Sequence, residues 1–360
     1  MPSRNQLANA IRALTMDAVQ KANSGHPGAP MGMADIAEVL WNDYLQHNPN
    51  NALWPNRDRF VLSNGHGSML PYSLSYLTGN AKITLDEIKN FRQLGSHTPG
   101  HPEVDVDAAI ETTTGPLGQG ISNAVGFAIA ERVLNAKHGG KVNHNTYVFL
   151  GDGCMMEGVS HEACSLAGHL KLGKLIAFYD DNNVTIDGTL DLTFTEDVQA
   201  RFKAYGWDIQ EIDGHDTVAI EQAIINAQAT DTPSLIACKT KIGFGAPTLE
   251  SQPKAHGAIT GDDEIAGTRE ALGWDHAPFE VPQDILDMWR SLGETGDDWQ
   301  PDMDLSTLDD TIAQLKESFA NDQPNKATRQ LSGACLEKIA PALGCMIGGS
   351  ADLSLSLIHI

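Results

Sequence analysis

Tyr147-Val148-Phe149-Leu150, an apolar run that predicts a buried strand, is followed at once by Gly151-Asp152-Gly153. A second apolar run, Leu175-Ile176-Ala177-Phe178-Tyr179, ends just before Asn182, which lies thirty residues after Asp152. If the two runs are neighbouring parallel strands, the carboxylate and the carboxamide lie on one rim of the sheet, where open α/β folds bind ligands. Such oxygen ligands suit Mg²⁺, which completes its octahedral shell with phosphate oxygens and water. The spacing therefore predicts a magnesium-bound diphosphate, with the backbone carbonyl of Val184 as a further ligand.

The segment between residues 120 and 239 alternates predicted helices and strands. The predicted strands are residues 146–150, 174–179, 207–212 and 234–239, and the predicted helices are residues 121–136, 159–170, 196–205 and 216–229, the last with Asp216 as N-cap. This rhythm predicts an α/β fold with a doubly wound, mostly parallel sheet flanked by helices.

The flanking segments have different patterns. Apolar residues at helical spacing predict helices over residues 4–24 and 33–45, on either side of the polar loop Ser24-Gly25-His26-Pro27-Gly28. Residues 278–327 are rich in Asp, Gln, Pro and Gly and are interpreted as a linker with a helix at 305–320. A new unit is predicted from residue 328, with a helix at 331–339 and a strand at 342–348.

The composition excludes several classes of protein. The 360 residues are 41% hydrophobic, enough for a substantial core, and no apolar run approaches the roughly 20 residues of a membrane span. The formal charge of −23 disfavours nucleic acid as a partner. Five cysteines without a CxxC pair do not indicate a disulfide framework. A cytoplasmic location is expected.

Five motifs occur in the order known from one enzyme family. They are Ser24-Gly25-His26-Pro27-Gly28, Ser63-Asn64-Gly65-His66-Gly67-Ser68, Thr98-Pro99-Gly100-His101-Pro102, Thr113-Thr114-Gly115-Pro116-Leu117-Gly118-Gln119-Gly120 and Gly151-Asp152-Gly153. The chain resembles the bacterial transketolases from its first residues to about Pro282, and again from Thr328 to Leu353. The resemblance implies a thiamine diphosphate-binding fold, with a diphosphate-binding domain at 1–277, the linker at 278–327 and the start of a pyrimidine-binding domain at 328–354.

The resemblance also implies roles for individual residues. Imidazoles titrate near neutrality and donate to phosphate or hydroxyl groups, so a set of histidines in Gly/Pro loops suits proton transfer and anion binding. The catalytic residues implied are His26, His101 and His256, which with Arg329 also bind substrate. The implied cofactor-binding residues are His66, Gly115, Pro116, Leu117, Gly153, Asn182, His256 and Asp352, and the implied metal ligands are Asp152, Asn182 and Val184. His97, His138, His144 and His276 are assigned to no site.

The end of the chain departs from the family. Residues 355–360, Leu-Ser-Leu-Ile-His-Ile, do not follow the transketolase pattern. We therefore expect a truncated chain that lacks the family's glutamate for the aminopyrimidine ring. A polypeptide of these 360 residues is expected to have little activity alone.

The function implied is transfer of a two-carbon ketol unit from a ketose phosphate to an aldose phosphate, in the pentose phosphate pathway. Thiamine diphosphate and Mg²⁺, which Ca²⁺ or Mn²⁺ could replace, are the expected cofactors, and the full-length form is expected to be a homodimer. One alternative is a dihydroxyacetone synthase-like thiamine enzyme. Another is a non-catalytic binding subunit, from a split enzyme or a decayed copy. A nicotinamide-dependent dehydrogenase is disfavoured because no Gly-x-Gly-x-x-Gly follows the first strand.

Overall fold

The structure of the chain is a computed structural model that describes residues 1–257, 259–293, 296, 299–301 and 304–349. The chain divides into two compact units, Met1–Asp298 and Trp299–Ile360. Among the described residues, no helix is both long enough and apolar enough to cross a membrane.

The first unit contains a central sheet and most of the helices. Its strands are β1 (Arg59–Leu62), β2 (Thr146–Gly151), β3 (Leu175–Asp181), β4 (Val184–Thr185), β5 (Gly188–Thr189), β6 (Asp208–Asp213) and β7 (Ser234–Lys239). Its helices are α1 (Arg4–Ala22), α2 (Gly28–Gly32), α3 (Ala34–Val39), α4 (Met69–Leu77), α5 (Leu85–Lys89), α6 (Gln119–Lys137), α7 (Asp152–Met156), α8 (Gly158–His169), α9 (Val198–Tyr205), α10 (Thr217–Gln228), α11 (Asp262–Leu272) and α12 (Gln283–Arg290).

The main sheet has five strands in the order β1-β2-β3-β7-β6, and all its neighbours are parallel. β2 lies beside β3 in a register that pairs Thr146 with Leu175 and Gly151 with Asp180. The predicted fold class is therefore confirmed, as is the prediction that the two apolar runs are adjacent parallel strands. The carboxyl ends of β2 and β3 lie side by side, with Asp152 directly after one and Asn182 directly after the other.

Both faces of the sheet are buried at β2, β3 and β7, which explains why these strands are apolar runs and not alternating patterns. Tyr147 and Phe149 of β2 pack in one cluster with α1, α3, α4 and α10. Val148 and Leu150 pack in another cluster with α6, α8 and α9. Successive side chains of a strand point to opposite faces, so each strand contributes to both cores.

A buried ion network lies on the side of α1, α3 and α10. Arg12 of α1 is fully buried and donates to the carbonyl of Met31 at 2.9 Å, to Asn9 Oδ1 at 2.9 Å and to Asp35 Oδ2 at 2.6 Å. His215 Nδ1 lies 2.8 Å from the same Asp35 oxygen. Burial alone would raise the pKa of Asp35, but the bonds with His215 and Arg12 outweigh burial and hold this pKa below its ordinary value.

The same network holds the loop that follows β7. The backbone N–H of Lys241 donates to His215 Nε2 at 3.1 Å, and the Phe244 ring lies between His215, at 4.5 Å, and the Arg12 guanidinium, at 4.3 Å. The N–H of Gly243 donates to the carbonyl of Gly28 at 2.9 Å. The start of α2 is therefore tied to the loop after β7 by polar contacts and by packing.

Two local features differ from the prediction, and a third agrees with it. β1 was not predicted, because a run of only four residues carries no recognisable period. The helix predicted over 33–45 is α3 followed by a π-helical turn at Leu40–Tyr44. The predicted N-cap Asp216 is confirmed, since its carboxylate accepts from the N–H groups of Val218 and Ala219.

The first unit extends beyond the predicted domain boundary at residue 277. The predicted linker, residues 278–327, contributes α12 to this unit, because Ile285 and Trp289 are buried in its core. The functional domain assignment stays a prediction.

The second unit contains α13 (Leu308–Asp322) and α14 (Thr328–Leu343). The strand predicted at 342–348 is wrong: α14 continues through Pro341 to Leu343, and residues 344–349 form no strand. Pro341 has no N–H to donate to the carbonyl four residues before it, and the helix ends two residues later, at Leu343. Arg329 lies in α14 and is exposed. Asp352 and the predicted tail at 355–360 lie outside the described residues.

Candidate cofactor site

The carboxyl ends of β2 and β3 border a cavity of about 300 Å³. Asp152 and Gly153, at the start of α7, line it on one side, and Asn182 and Val184 line it on another. Within the described part of the chain, no three His, Cys, Asp or Glu side chains are grouped to hold a metal ion. The predicted ligands are instead one carboxylate, one carboxamide and one backbone carbonyl, all at this cavity.

Asp152 is a buried carboxyl group with one free oxygen. Its side chain is buried, its Oδ1 accepts a hydrogen bond from the Tyr179 hydroxyl, and its Oδ2 has no hydrogen-bond partner among the described residues. Burial raises the pKa of Asp152 to about 7, although the bond from Tyr179 opposes the shift. An unpaired buried carboxylate oxygen is costly, and this oxygen is therefore available to a ligand in the cavity.

Asp180, the next-to-last residue of β3, fixes the side chain of Asn182. Asn182 Nδ2 donates to Asp180 Oδ2 at 3.0 Å, while Asp180 Oδ1 accepts from the hydroxyl of Thr240. Burial raises the pKa of Asp180 to about 6. Because the amide nitrogen of Asn182 is bound to a carboxylate, the orientation of its oxygen is defined; that oxygen accepts from the Val184 N–H at 3.0 Å.

Four histidines from four separate loops form a cluster beside the cavity. His66 and His256 line the cavity and stack at 4.6 Å between ring centroids. The ring of His26 is 5.3 Å from His66, 5.6 Å from His256 and 6.2 Å from His101. The sequence analysis selected these four, and the structure brings them together.

The cluster is electrically neutral in its resting state. Burial, followed by the other imidazoles, lowers the pKa of His66 to about 3. Burial, His256 and Arg92 lower the pKa of His26 to about 4. Burial also lowers the pKa values of His101 and His256. At neutral pH these rings therefore act as hydrogen-bonding groups.

An open cleft of about 720 Å³ lies on the other side of the cluster. Arg92, His97 and His101 line it. The ring of His26 contacts His66 and His256, which line the cavity. It also lies near His101, which lines the cleft. Members of the histidine cluster thus border both the cavity and the cleft.

The remaining predicted residues occupy different positions. Leu117 lines the cavity, and Gly115 is packed next to the ring of His101, whereas Pro116 is exposed. His97, which was assigned to no site, borders the cleft.

Sequence reasoning missed four residues around the site. Tyr179 ends the apolar run of β3 and Asp180 follows it, and the sequence predicts no role in the site for either. Asn64, buried beside His66, lines the cavity, and its Oδ1 has no partner among the described residues. Arg92 contacts His26 from a loop without a motif. A carboxylate at the end of a parallel strand was an available signal for Asp180; none pointed to Arg92.

The low pKa of His66 predicts a pH-dependent cost in stability. Its folded-state pKa is about 3 against 6.5 when unfolded, so only the unfolded chain takes up this proton as pH falls below 6.5. The wild-type chain should therefore lose unfolding free energy as pH falls from 6 to 4. In His66→Gln this loss should be smaller by about 1 kcal/mol per pH unit. Urea denaturation at pH 7, 6, 5 and 4 measures this. The wild-type chain is the reference, and an identical pH dependence of unfolding free energy for the wild type and His66→Gln would contradict the assignment.

A carboxylate and a carboxamide at the ends of adjacent parallel strands, beside a deep cavity, define a cofactor-binding α/β domain. Residues 3–328 match the family model described as transketolase, thiamine diphosphate binding domain. The chain therefore belongs to the transketolase family and carries its thiamine diphosphate binding domain, as the sequence motifs predicted.

Individual relatives agree with this family. Transketolase 1 of Escherichia coli (strain K12) is 55% identical over 386 residues, which cover 99% of this chain and 58% of the relative. The crystal structure of transketolase from Campylobacter jejuni is 40% identical with a TM-score of 0.84, over 100% of this chain and 59% of that one. Transketolase from Pichia stipitis in complex with sedoheptulose 7-phosphate is 41% identical with a TM-score of 0.83, over 98% and 56%. This chain thus spans less than two thirds of the length of these relatives.

Proposed function

We propose that this chain provides the diphosphate-binding part of a transketolase, an enzyme that moves a two-carbon ketol unit from a ketose phosphate to an aldose phosphate. The observation that carries the proposal is the free Oδ2 of Asp152, buried at the end of β2 in a cavity flanked by neutral histidines. The Pichia stipitis relative in complex with sedoheptulose 7-phosphate supports phosphorylated sugars as substrates.

The residues at the cavity fit a magnesium-bound diphosphate. Asp152 Oδ2 offers a charged ligand without a competing hydrogen bond, and Asn182 and the Val184 carbonyl add neutral oxygens. A Cβ atom on Gly153 would lie 2.7 Å from Leu117 Cδ1, so a side chain there would displace the cavity wall. The Tyr179 hydroxyl donates to Asp152, and Asp180 accepts from the amide of Asn182. Such hydrogen bonds commonly orient metal ligands.

The chemistry is that of the cofactor, since thiamine diphosphate stores the electrons released when a carbon–carbon bond breaks. The chain's own contribution is binding and orientation. His66 and His256 border the cavity, and His26 and His101 connect it to the open cleft, where they are placed to hydrogen-bond sugar hydroxyls. Because burial keeps the rings uncharged, near neutral pH they serve as hydrogen-bond donors and acceptors without a fixed positive charge.

Several finer assignments belong to the same proposal. Arg329 would bind the phosphate of the sugar, since a guanidinium is suited to phosphate geometry. Asp352 and the segment Gly115-Pro116-Leu117 would contact the cofactor, and the longer enzyme would be a cytoplasmic homodimer of the pentose phosphate pathway.

Calorimetric titration tests the proposal directly. Thiamine diphosphate titrated into the chain with Mg²⁺ should bind at least about 10-fold more tightly than with EDTA, because Asp152, Asn182 and the Val184 carbonyl would hold the metal that neutralises the diphosphate. Thiamine, which has no diphosphate, is the matched control and should show no metal dependence. No binding of thiamine diphosphate in the presence of Mg²⁺ would refute the proposal.

A further inference from the structure

Arg92 has an unusual backbone conformation that is held on several sides. Its φ is 63°, in the left-handed region that costs a residue with a side chain about 1 kcal/mol. Its N–H donates to the carbonyl of Thr98 at 2.9 Å. A Cβ atom on Gly100 would lie 2.7 Å from Arg92 Nε, so the guanidinium occupies space that a glycine leaves open. The loop is built to place this side chain.

The guanidinium contacts the loop that carries His26. Nη1 donates to Ser24 Oγ at 2.5 Å, and Nη2 lies 3.4 Å from His26 Nδ1. A guanidinium has donors and no acceptor, so Nδ1 of His26 must present a lone pair to it. The proton of neutral His26 is then on Nε2.

The charges around His26 act in the same direction. Arg92, His101 and His256 are the groups whose charges act on it, and His66 lies 5.3 Å away. Burial is the main cause of the low pKa of His26, and the permanent charge of Arg92 adds to it, whereas the neighbouring imidazoles oppose a charge on His26 only when they are themselves protonated.

We propose that Arg92 is a positioning residue that keeps His26 uncharged and fixes its proton on Nε2, so that His26 meets a bound sugar as a hydrogen-bond donor. The identity of the bound molecule as a sugar rests on the proposed function; the state of His26 does not. In this arrangement His26 binds a hydroxyl or phosphate oxygen, and a proton that leaves the substrate goes to a different group.

The experiment is ¹⁵N NMR of the histidine-labelled chain, without cofactor, with His26 assigned by the signals lost in His26→Gln. The wild-type chain should show the Nε2–H tautomer at His26. Arg92→Met should raise the proton affinity of His26 about 10-fold, since a neighbouring charge shifts a pKa by about one unit. Arg92→Lys, which retains the charge, should keep that affinity within about threefold of wild type.

Two further variants separate this role from a general effect on folding. Gly100→Ala retains Arg92 but displaces its guanidinium, and should change His26 in the same direction as Arg92→Met. Arg132→Met, which removes an exposed arginine of α6, should leave His26 unchanged. If Arg92→Met does not fold, the proposal is still tested by the tautomer of His26 in the wild-type chain and by the proton affinity of His26 in Gly100→Ala.

An Nδ1–H tautomer in the wild-type chain would overturn the proposal, and so would an unchanged proton affinity in both Arg92→Met and Gly100→Ala. The measurement requires neither thiamine diphosphate nor turnover. A failure here therefore leaves the proposed function intact, whereas a chain that binds no cofactor leaves the assignment of Arg92 intact.

Discussion

Asp152→Asn is expected to abolish metal-dependent binding of thiamine diphosphate, with a loss of affinity of about 100-fold or more. Replacing even the outer partners of metal ligands typically costs 10- to 100-fold, and Asp152 would be the charged ligand itself. The asparagine has nearly the same volume, so the cavity is preserved. Titration calorimetry with Mg²⁺ compares the two chains.

Asp181→Asn is the matched control, because it also replaces a carboxylate by a carboxamide near the site. The Asp181 carboxylate is bound to Lys239 and does not line the cavity. We expect it to retain affinity within about threefold, since one nearby screened charge has a small effect. Because Asp152 Oδ2 has no partner and burial disfavours its charge, Asp152→Asn should fold at least as stably as the wild-type chain without metal. Equal losses in both variants would contradict the metal assignment.

Arg12→Leu is expected to lower the unfolding free energy by about 3–5 kcal/mol, the usual cost of removing one partner of a buried ion pair. Arg12 is fully buried, and its loss leaves the Met31 carbonyl without this donor and Asp35 with His215 alone. Urea denaturation at pH 7 measures the change.

The double variant Arg12→Leu/Asp35→Leu separates the charge from the packing. Once both charges are absent, part of the lost stability should return, because no uncompensated carboxylate is buried. Lys89→Met, which removes an exposed pair with Asp86, should cost less than about 1 kcal/mol. If Arg12→Leu lowered the unfolding free energy no more than Lys89→Met does, the buried network would contribute little to stability.

The sheet was largely predictable because buried parallel strands are long apolar runs with distinct ends. β2, β3 and β7 are such runs, whereas β6 is a polar, partly exposed strand at the edge of the sheet with apolar residues at only two positions. β1 was not predictable, since Arg59–Leu62 is short and begins with a charge; tertiary pairing with β2 makes it a strand. The end of α14 was misplaced because proline usually ends a helix, yet here Pro341 occupies its last turn.

Part of the site could be predicted because its residues follow the strands or sit in Gly/Pro motifs. Asp152 and Asn182 follow from the register of two adjacent strands. His26, His66 and His101 follow from the family motifs, and His256 from the wider resemblance. The supporting contacts could not be predicted, because they join distant segments. Arg92 reaches His26 only through a left-handed backbone and the space at Gly100, and neither feature has a local sequence signal.

The parallel pairing of the sheet has a consequence for how the chain reaches its native state. Arg59 pairs with Thr146, and Ile176 with Ser234, so every pairing in the sheet awaits the closure of a long loop. High contact order slows folding and leaves apolar strands such as Tyr147-Val148-Phe149-Leu150 unpaired in the meantime. Refolding from denaturant is therefore expected to be slow and to yield less native protein as concentration rises, with chaperones improving recovery.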